Sequence, residues 1–155
     1  MIVSPESSPS SRIIILQTGE VPNSNGTQFL DGPEAYQLDI DADNEAVTLT
    51  GSTASGVFYA IQSLLSLTDY SDEVPSGVVR DGPRFEYRGM HIDVSRNFHA
   101  VEDIRQLIDA MAIYKMNQLH LHLGDDEGWR LEIPEIPELT QVRSLLKFQI
   151  LRTST

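Results

Sequence analysis

Residues 87–130 constrain the fold of this chain more than any other part of its sequence. Residues 89–95 and 117–123 alternate apolar with polar or ionisable side chains, which is typical of strands with one buried face. Between them, residues 101–115 repeat apolar side chains at helical spacing. A strand, a helix and a second strand at this spacing predict a βαβ unit, which pairs its two strands in parallel.

The predicted helix of this unit has an acidic first turn and one apolar face. Glu102 and Asp103 lie in the first turn, where negative charge interacts favourably with the helix dipole. The apolar face consists of Val101, Ile104, Leu107, Ile108, Met111 and Ala112. We expect the leucines and β-branched residues of the two strands to pack beneath this face.

The other face of the two strands is polar and carries His91, Asp93, His120 and His122. In an open sheet such a face is costly unless it is solvated or fully paired. In a closed barrel it lies inside, near the substrate end, so we interpret the unit as the start of a (β/α)8 barrel. A complete barrel takes about 250 residues. Only residues 83–155 remain for it, so we expect an incomplete barrel whose bare strand edge favours self-association.

The first half of the chain predicts a small α+β domain, with a few-stranded sheet and one covering helix. Residues 12–17 are β-branched and predict a buried strand. Residues 36–41 and 46–51 alternate apolar and polar side chains and predict a hairpin around the polar turn 42–45. A helix is expected over residues 53–68.

This helix has an expected cap and an expected buried face. Ser52 or Thr53 is a suitable N-cap. The apolar face is predicted from Ala54, Val57, Phe58, Ile61, Leu64, Leu65 and Thr68.

The chain therefore divides into three predicted segments. Residues 1–11 are rich in Ser and Pro and are interpreted as a flexible lead-in. Residues 12–82 form the α+β domain, and residues 83–155 form the start of the barrel, with a Gly-Pro junction at 81–84. The tail, residues 142–155, begins with a helix-like pattern.

Composition excludes several classes of partner and site. The net charge is −12, and the first 82 residues hold only two basic side chains, Arg12 and Arg80. This balance argues against nucleic acid and anionic membranes as partners. Cysteine is absent, so disulfides and thiolate metal sites are excluded. No apolar run is long enough to span a membrane, and the first residues lack a signal-peptide pattern.

His120 and His122 are the candidate metal ligands. Two residues apart on a strand, they point the same way, and Asp93 and Asp125 are available to complete a shell. The pattern is weak by itself, because histidines bonded to acids inside a polar barrel look the same. We predict no metal and no cofactor, and keep a metal-dependent hydrolase using this pair as an alternative.

Charged residues also follow both strands, at the end where barrel enzymes keep their chemistry. Arg96 offers a planar fork of donors for vicinal hydroxyls or a carboxylate, unless it forms only a surface ion pair. Asp125, Asp126 and Glu127 can bind sugar hydroxyls or orient a histidine, unless they are a solvated turn. Trp129 can stack on a sugar ring or simply pack.

Together, YRGMHIDVSRNF at residues 87–98 and MNQLHLHLGDDEGWR at 116–130 resemble the first two barrel strands of family 20 glycoside hydrolases, the β-N-acetylhexosaminidases. Residues 84 to about 140 carry the resemblance, and the first half is similar to the α+β domain before the barrel. Gly124 differs from the Ser, Thr or Val expected before the acid pair.

The resemblance implies removal of terminal N-acetylhexosamine from glycoconjugates or chitin oligomers with retention, using the substrate's own acetamido group as nucleophile. It implies that Arg96 and Asp125 bind the terminal sugar, while Asp93, His120, His122 and Asp126 support them. The family's catalytic Asp-Glu pair is expected downstream, so we predict that this chain alone is inactive. A secreted, periplasmic or lysosomal location is implied. A non-catalytic glycan-binding module is the further alternative.

Overall fold

The computed structural model describes residues 12–23, 28–69 and 74–143. The chain divides into two compact units, Met1–Glu86 and Tyr87–Thr155. The predicted lead-in, and the predicted tail beyond residue 143, lie outside the described residues. Over the described ranges, no helix is both long and apolar enough to cross a bilayer.

A four-stranded mixed sheet is the framework of the first unit. Its strands are β1 (Ile13–Thr18), β2 (Tyr36–Asp41), β3 (Ala46–Gly51) and β4 (Gly77–Asp81), in the order β1-β3-β2-β4. β1 runs parallel to β3, whereas β2 is antiparallel to both β3 and β4. The predicted hairpin of β2 and β3 is confirmed. β4 was not predicted, because its five residues include an end glycine and two charged side chains.

Helix α1 (Ala54–Thr68) packs on this sheet and completes the core. Its N-cap is Thr53, whose Oγ1 accepts a hydrogen bond from Ser55 N at 3.2 Å. Buried side chains alternate along β2, as the sequence predicts. The buried cluster is made of Tyr36, Leu38, Ile40, Leu49, Tyr59 and Ala60. The predicted α+β arrangement, a few strands with one covering helix, is therefore confirmed in this unit.

Two predictions about burial in this unit are wrong, the second of them only in part. Strand β1 is exposed along its whole length rather than buried, because it lies at the edge of the sheet and α1 packs mainly on β2 and β3. Of the predicted face of α1, Ile61 and Leu64 pack against the core, whereas Phe58 and Leu65 are exposed. The fully buried positions of the helix are Gly56, Tyr59 and Ala60, which were not predicted. Gly56 and Ala60 are too small to be found by a search for large apolar side chains.

The second unit contains the predicted βαβ element. Strands β5 (Gly89–Asp93) and β6 (Gln118–His122) pair in parallel, joined by helix α2 (Val101–Ile113). The register sets His91 opposite His120. The predicted strands and helix are each confirmed, with ends one or two residues shorter than expected.

Two short strands and a helix follow this element. β7 (Gly124–Asp125) and β8 (Gly128–Trp129) form a tight antiparallel pair, and α3 (Glu138–Arg143) comes after them. Neither strand was predicted, because two residues are too few to show a periodicity. Of the predicted apolar face of α2, Met111 is buried, whereas Val101 and Ile108 are exposed.

Candidate functional site

The candidate site lies where β5 and β6 end. Both strands of a parallel pair end at the same edge, so the residues that follow them meet there. Asp93 and His122 are the last residues of their strands and lie opposite each other in the register. Arg96 follows β5 by three residues, and Asp125 follows β6 by three. The sequence predicted this meeting from strand ends alone.

Arg96 is the centre of the site. Its Nη1 lies 3.0 Å from Asp93 Oδ2, and its Nη2 pairs directly with Asp125 Oδ2. Its Nε lies 3.5 Å from Glu127 Oε2. The Arg96 side chain is nevertheless 55% exposed. One guanidinium therefore holds three carboxylates in place and remains open to solvent.

Asp93 is fixed by the backbone that follows it. Its Oδ1 accepts hydrogen bonds from Ser95 N at 3.0 Å and from Arg96 N at 2.9 Å. The Arg96 backbone bond is the main reason that the pKa of Asp93 is lowered, and the charge of the Arg96 guanidinium adds to it. Asp93 is therefore an ionised support for Arg96.

Asp125 is held from several directions. Its Oδ1 accepts a hydrogen bond from Asp126 N at 2.8 Å, and its Oδ2 lies 2.8 Å from His122 Nε2. These hydrogen bonds, that of Asp126 first, and the charge of Arg96 lower the pKa of Asp125. In turn Asp125 is the largest cause of the raised pKa of Arg96. The pair stays charged at neutral pH.

The two acids after Asp125 behave differently from it. The pKa of Asp126 is raised, first by its interaction with the neighbouring Glu127 carboxylate and then by Asp125. The pKa of Glu127 is lowered, with its hydrogen bond from Asp126 as the main cause. Asp126 serves the site through its backbone N–H, whereas Glu127 contacts Arg96 through its carboxylate. Asp126 was predicted as a supporting residue, whereas Glu127 was named only as part of the acidic turn and was given no contact with Arg96.

Two further residues, neither of them predicted from the sequence, join β8 and the residue after it to the end of β5. Ser95 is fully buried, and its Oγ donates a hydrogen bond to Gly128 O. Arg130 donates from Nε to Val94 O at 3.0 Å and from Nη2 to Ser95 O at 3.2 Å. These contacts are long-range, and only the position of Ser95 at a strand end could have indicated a role.

His120 and Trp129 stand apart from the Arg96 contacts. The His120 ring packs edge-on against the His91 ring, with centroids 4.6 Å apart. Trp129 Nε1 donates to Leu131 O, and the indole covers Gly124. A Cβ at Gly124 would lie 2.7 Å from Trp129 Cε3, so the glycine that departs from the expected pattern makes room for this ring.

The arrangement suits a ligand rich in hydroxyl groups. A guanidinium provides planar donors, and ionised carboxylates provide strong acceptors. Arg96 is exposed while Asp93 and Asp125 are mostly covered, so the guanidinium is open to solvent and the two acids fix the orientation of its donors.

Both halves of the chain match models of one known protein family. Residues 85–151 match the model of the catalytic domain of glycosyl hydrolase family 20, and residues 3–82 match the model of domain 2 of that family. The chain belongs to glycosyl hydrolase family 20. The resemblance inferred from the strand motifs is thereby confirmed.

Curated relatives carry the names expected of this family. The N,N'-diacetylchitobiase of Vibrio harveyi is 50% identical over 110 residues, covering 70% of this chain and 12% of the relative. A beta-hexosaminidase of Vibrio vulnificus is 50% identical over 109 residues, covering 70% of this chain and 13% of the relative. The chain thus spans about an eighth of the length of these two proteins.

Solved structures of the family superpose on the chain. An exo beta-N-acetylglucosaminidase from Vibrio harveyi, in complex with N-acetylglucosamine, is 34% identical with a TM-score of 0.66. The match covers 88% of this chain and 20% of that structure.

Proposed function

We propose that this chain supplies the domain before the barrel and the first βα units of the (β/α)8 barrel of a retaining exo-β-N-acetylhexosaminidase. Its substrates would be glycoconjugates or chitin oligomers ending in N-acetylhexosamine. In this proposal residues 12–82 form the preceding domain and residues 83–155 the start of the barrel. Membership of glycosyl hydrolase family 20 and the names of the relatives support it.

The observation that carries the proposal is the Arg96–Asp125 pair at the ends of two parallel strands. We assign to this pair the hydroxyl groups of the terminal sugar, with Arg96 as donor and Asp125 as acceptor. Asp93 and His122 each contact one member of the pair and hold it in position. Asp126 supports Asp125 through its backbone, and His120 supports the face of the sheet from the register position beside His91.

The bond-breaking step then needs groups beyond this pair. In substrate-assisted hydrolysis the acetamido oxygen attacks the anomeric carbon, the glycosidic bond breaks, and an acid protonates the leaving oxygen. Water later opens the cyclic intermediate with net retention. Arg96 and Asp125 have the charges to bind the sugar but are too strongly paired to exchange protons near pH 7. We therefore propose that the 155 residues alone do not hydrolyse the substrate.

A segment exchange tests the function directly. In the experiment, the matched segment of the Vibrio harveyi N,N'-diacetylchitobiase is replaced by the corresponding residues of this chain. The proposal predicts that the chimera hydrolyses a chromogenic N-acetylglucosaminide, and that the isolated chain does not. A folded but inactive chimera would contradict the assignment of the segment.

The isolated chain also distinguishes the alternatives. Hydrolysis that is abolished by a chelator would indicate a metal-dependent hydrolase instead. The third alternative is a glycan-binding module. It would be indicated if the chain binds N-acetylglucosamine saturably and the chimera does not hydrolyse the chromogenic substrate.

A further inference from the structure

Three histidines cluster on the polar face of the β5–β6 pair, beside the Arg96 site. One ring nitrogen from each of His91, His120 and His122 lies within 4.8 Å of the other two. The parallel register creates the cluster, because it sets His91 opposite His120, and His122 follows two residues later on the same face. From the sequence, only His120 and His122 were predicted as a metal-binding pair.

The spacing is close to what a metal ion requires. Zinc–nitrogen bonds are about 2.0–2.1 Å in tetrahedral sites, which places ligand nitrogens about 3.3–3.4 Å apart. The observed spacing therefore needs to close by no more than about 1.5 Å. His91 and His120 are exposed, and their rings already touch edge-on, so rotation of these side chains achieves the closure.

We propose that His91, His120 and His122 together bind one late first-row divalent cation, of the class of Zn²⁺, Ni²⁺ and Cu²⁺. Neutral imidazole is a preferred ligand for these ions, and three imidazoles on one side leave a position open for water. The site departs from the sequence-based expectation of no metal because the register adds His91 as a third ligand.

Asp125 strengthens the case for His122 as a ligand. Metal-bound histidines usually bond through their second ring nitrogen to a carboxylate, which fixes the ring. His122 Nε2 lies 2.8 Å from Asp125 Oδ2. If this contact is kept in the proposed site, Nδ1 is the ring nitrogen of His122 that remains available to the ion.

The neighbouring acids are a competing place for a cation. Asp125, Asp126 and Glu127 also bring their oxygens within 4.8 Å of one another. The Arg96 guanidinium already pairs with Asp125 and lies 3.5 Å from Glu127, so it offsets their negative charge. Oxygen ligands also favour Mg²⁺ and Ca²⁺ rather than the ions proposed here.

Zinc titration of the 155-residue chain tests the site. Zn²⁺ is titrated in competition with a chromophoric chelator, and bound Co²⁺ is followed by its visible absorption. We expect one ion per chain, and at least about tenfold weaker binding in His91→Ala and in His120→Ala, since each removes one of three ligands. His99→Ala is the matched control, because His99 is the fourth histidine and lies near Asp103 instead. Its affinity is expected to equal that of the unchanged chain.

Two results would overturn the proposal. One is zinc binding that is absent, or that is unaffected by His91→Ala. The other is zinc binding lost in Glu127→Gln but kept in His120→Ala, which would place the ion on the acids. Histidine ring signals in NMR spectra of the unchanged chain provide a readout that does not depend on folded variants. Zn²⁺ is expected to shift the signals of the three clustered histidines and not that of His99.

Discussion

The two units of this chain hold their residues in place by different means. The first unit buries a cluster of apolar and aromatic side chains between β2, β3 and α1. In the described part of the second unit, the buried hydrophobic side chains are Val94 and Met111, and the buried polar one is Ser95. Hydrogen bonds and ion pairs around Arg96 and Arg130 fix the strand ends there instead.

The two kinds of interaction suit different roles, because one is non-directional and the other is directional. Apolar burial stabilises by roughly 25 cal/mol per Å² and does not depend on direction, so it suits a supporting domain. Charged hydrogen bonds are directional and fix donors and acceptors in place, so they suit a site that receives a polar ligand. The first unit should therefore respond to cavities and the second to lost hydrogen bonds.

The largest expected effect is a cavity in the first unit. Leu38 is fully buried, and Leu38→Ala is expected to lower the free energy of unfolding by about 2–5 kcal/mol. Leu121→Ala is the matched variant in the second unit, where the leucine is 37% exposed, and its effect should be clearly smaller. Urea denaturation measures both, and equal losses would refute the contrast between the units.

The contact between α1 and the sheet is the next test. A Cβ at Gly56 would lie 2.4 Å from Ala35 O, so Gly56→Ala is expected to destabilise by about 1–3 kcal/mol. Alanine ordinarily favours a helix over glycine by about 1 kcal/mol. A lower free energy of unfolding in Gly56→Ala would therefore show that the close contact outweighs helix propensity, and a higher one would show the reverse. Gly77→Ala, which meets nothing within 4 Å, is the control.

A lost hydrogen bond in the second unit should have a smaller effect. Ser95→Ala removes the bond to Gly128 O and is expected to cost about 0.5–1.5 kcal/mol locally, which is the net contribution of one hydrogen bond. Trp129, the only tryptophan, directly follows Gly128, so its fluorescence emission reports any loosening around this lost bond. Ser66→Ala, which loses a bond to Gln62 O within α1, should leave the emission unchanged.

The smallest expected effect concerns the acids around Arg96 as pH falls. The pKa of Asp125 is lowered and that of Asp126 is raised, so Asp126 should take up its proton first. The stabilisation from ionised Asp125 is present above its unfolded pKa of about 3.9 and is lost as pH falls through its lower folded pKa. Carboxyl ¹³C NMR titration follows both groups. Protonation in the reverse order would contradict the described hydrogen bonds.

Periodicity predicted most of the fold, but not its edges or its smallest contacts. The alternation in β2 and β3 and the spacing in α2 led to the observed elements. Residues 12–17 misled because a run of isoleucines looks the same at the edge of a sheet as in its centre. Gly56 and Ala60 show the other limit, since close packing by small residues leaves no periodic signal.

The candidate site was predictable where it depends on strand ends. Arg96 and Asp125 were predicted from their position after two parallel strands, and the structure brings them together. Ser95, Arg130 and the contact of Glu127 with Arg96 were missed, because their partners are set by a two-residue strand pair and its turn. His91 was noted only as part of the polar face, because its neighbours depend on the register of β5 and β6.

We propose above all that Arg96 binds the hydroxyl groups of the terminal sugar in a β-N-acetylhexosaminidase. The most direct measurement is kcat/KM for a chromogenic N-acetylglucosaminide in the chimera, comparing Arg96→Ala with Arg105→Ala. Arg105 is the matched control, because it is an exposed arginine that lies 3.6 Å from Glu102 on α2. We predict a loss of about 100-fold or more for Arg96→Ala, since charged hydrogen bonds contribute about 1.5–3 kcal/mol each, and almost no change for Arg105→Ala. Equal kcat/KM values for the two variants would contradict the claim.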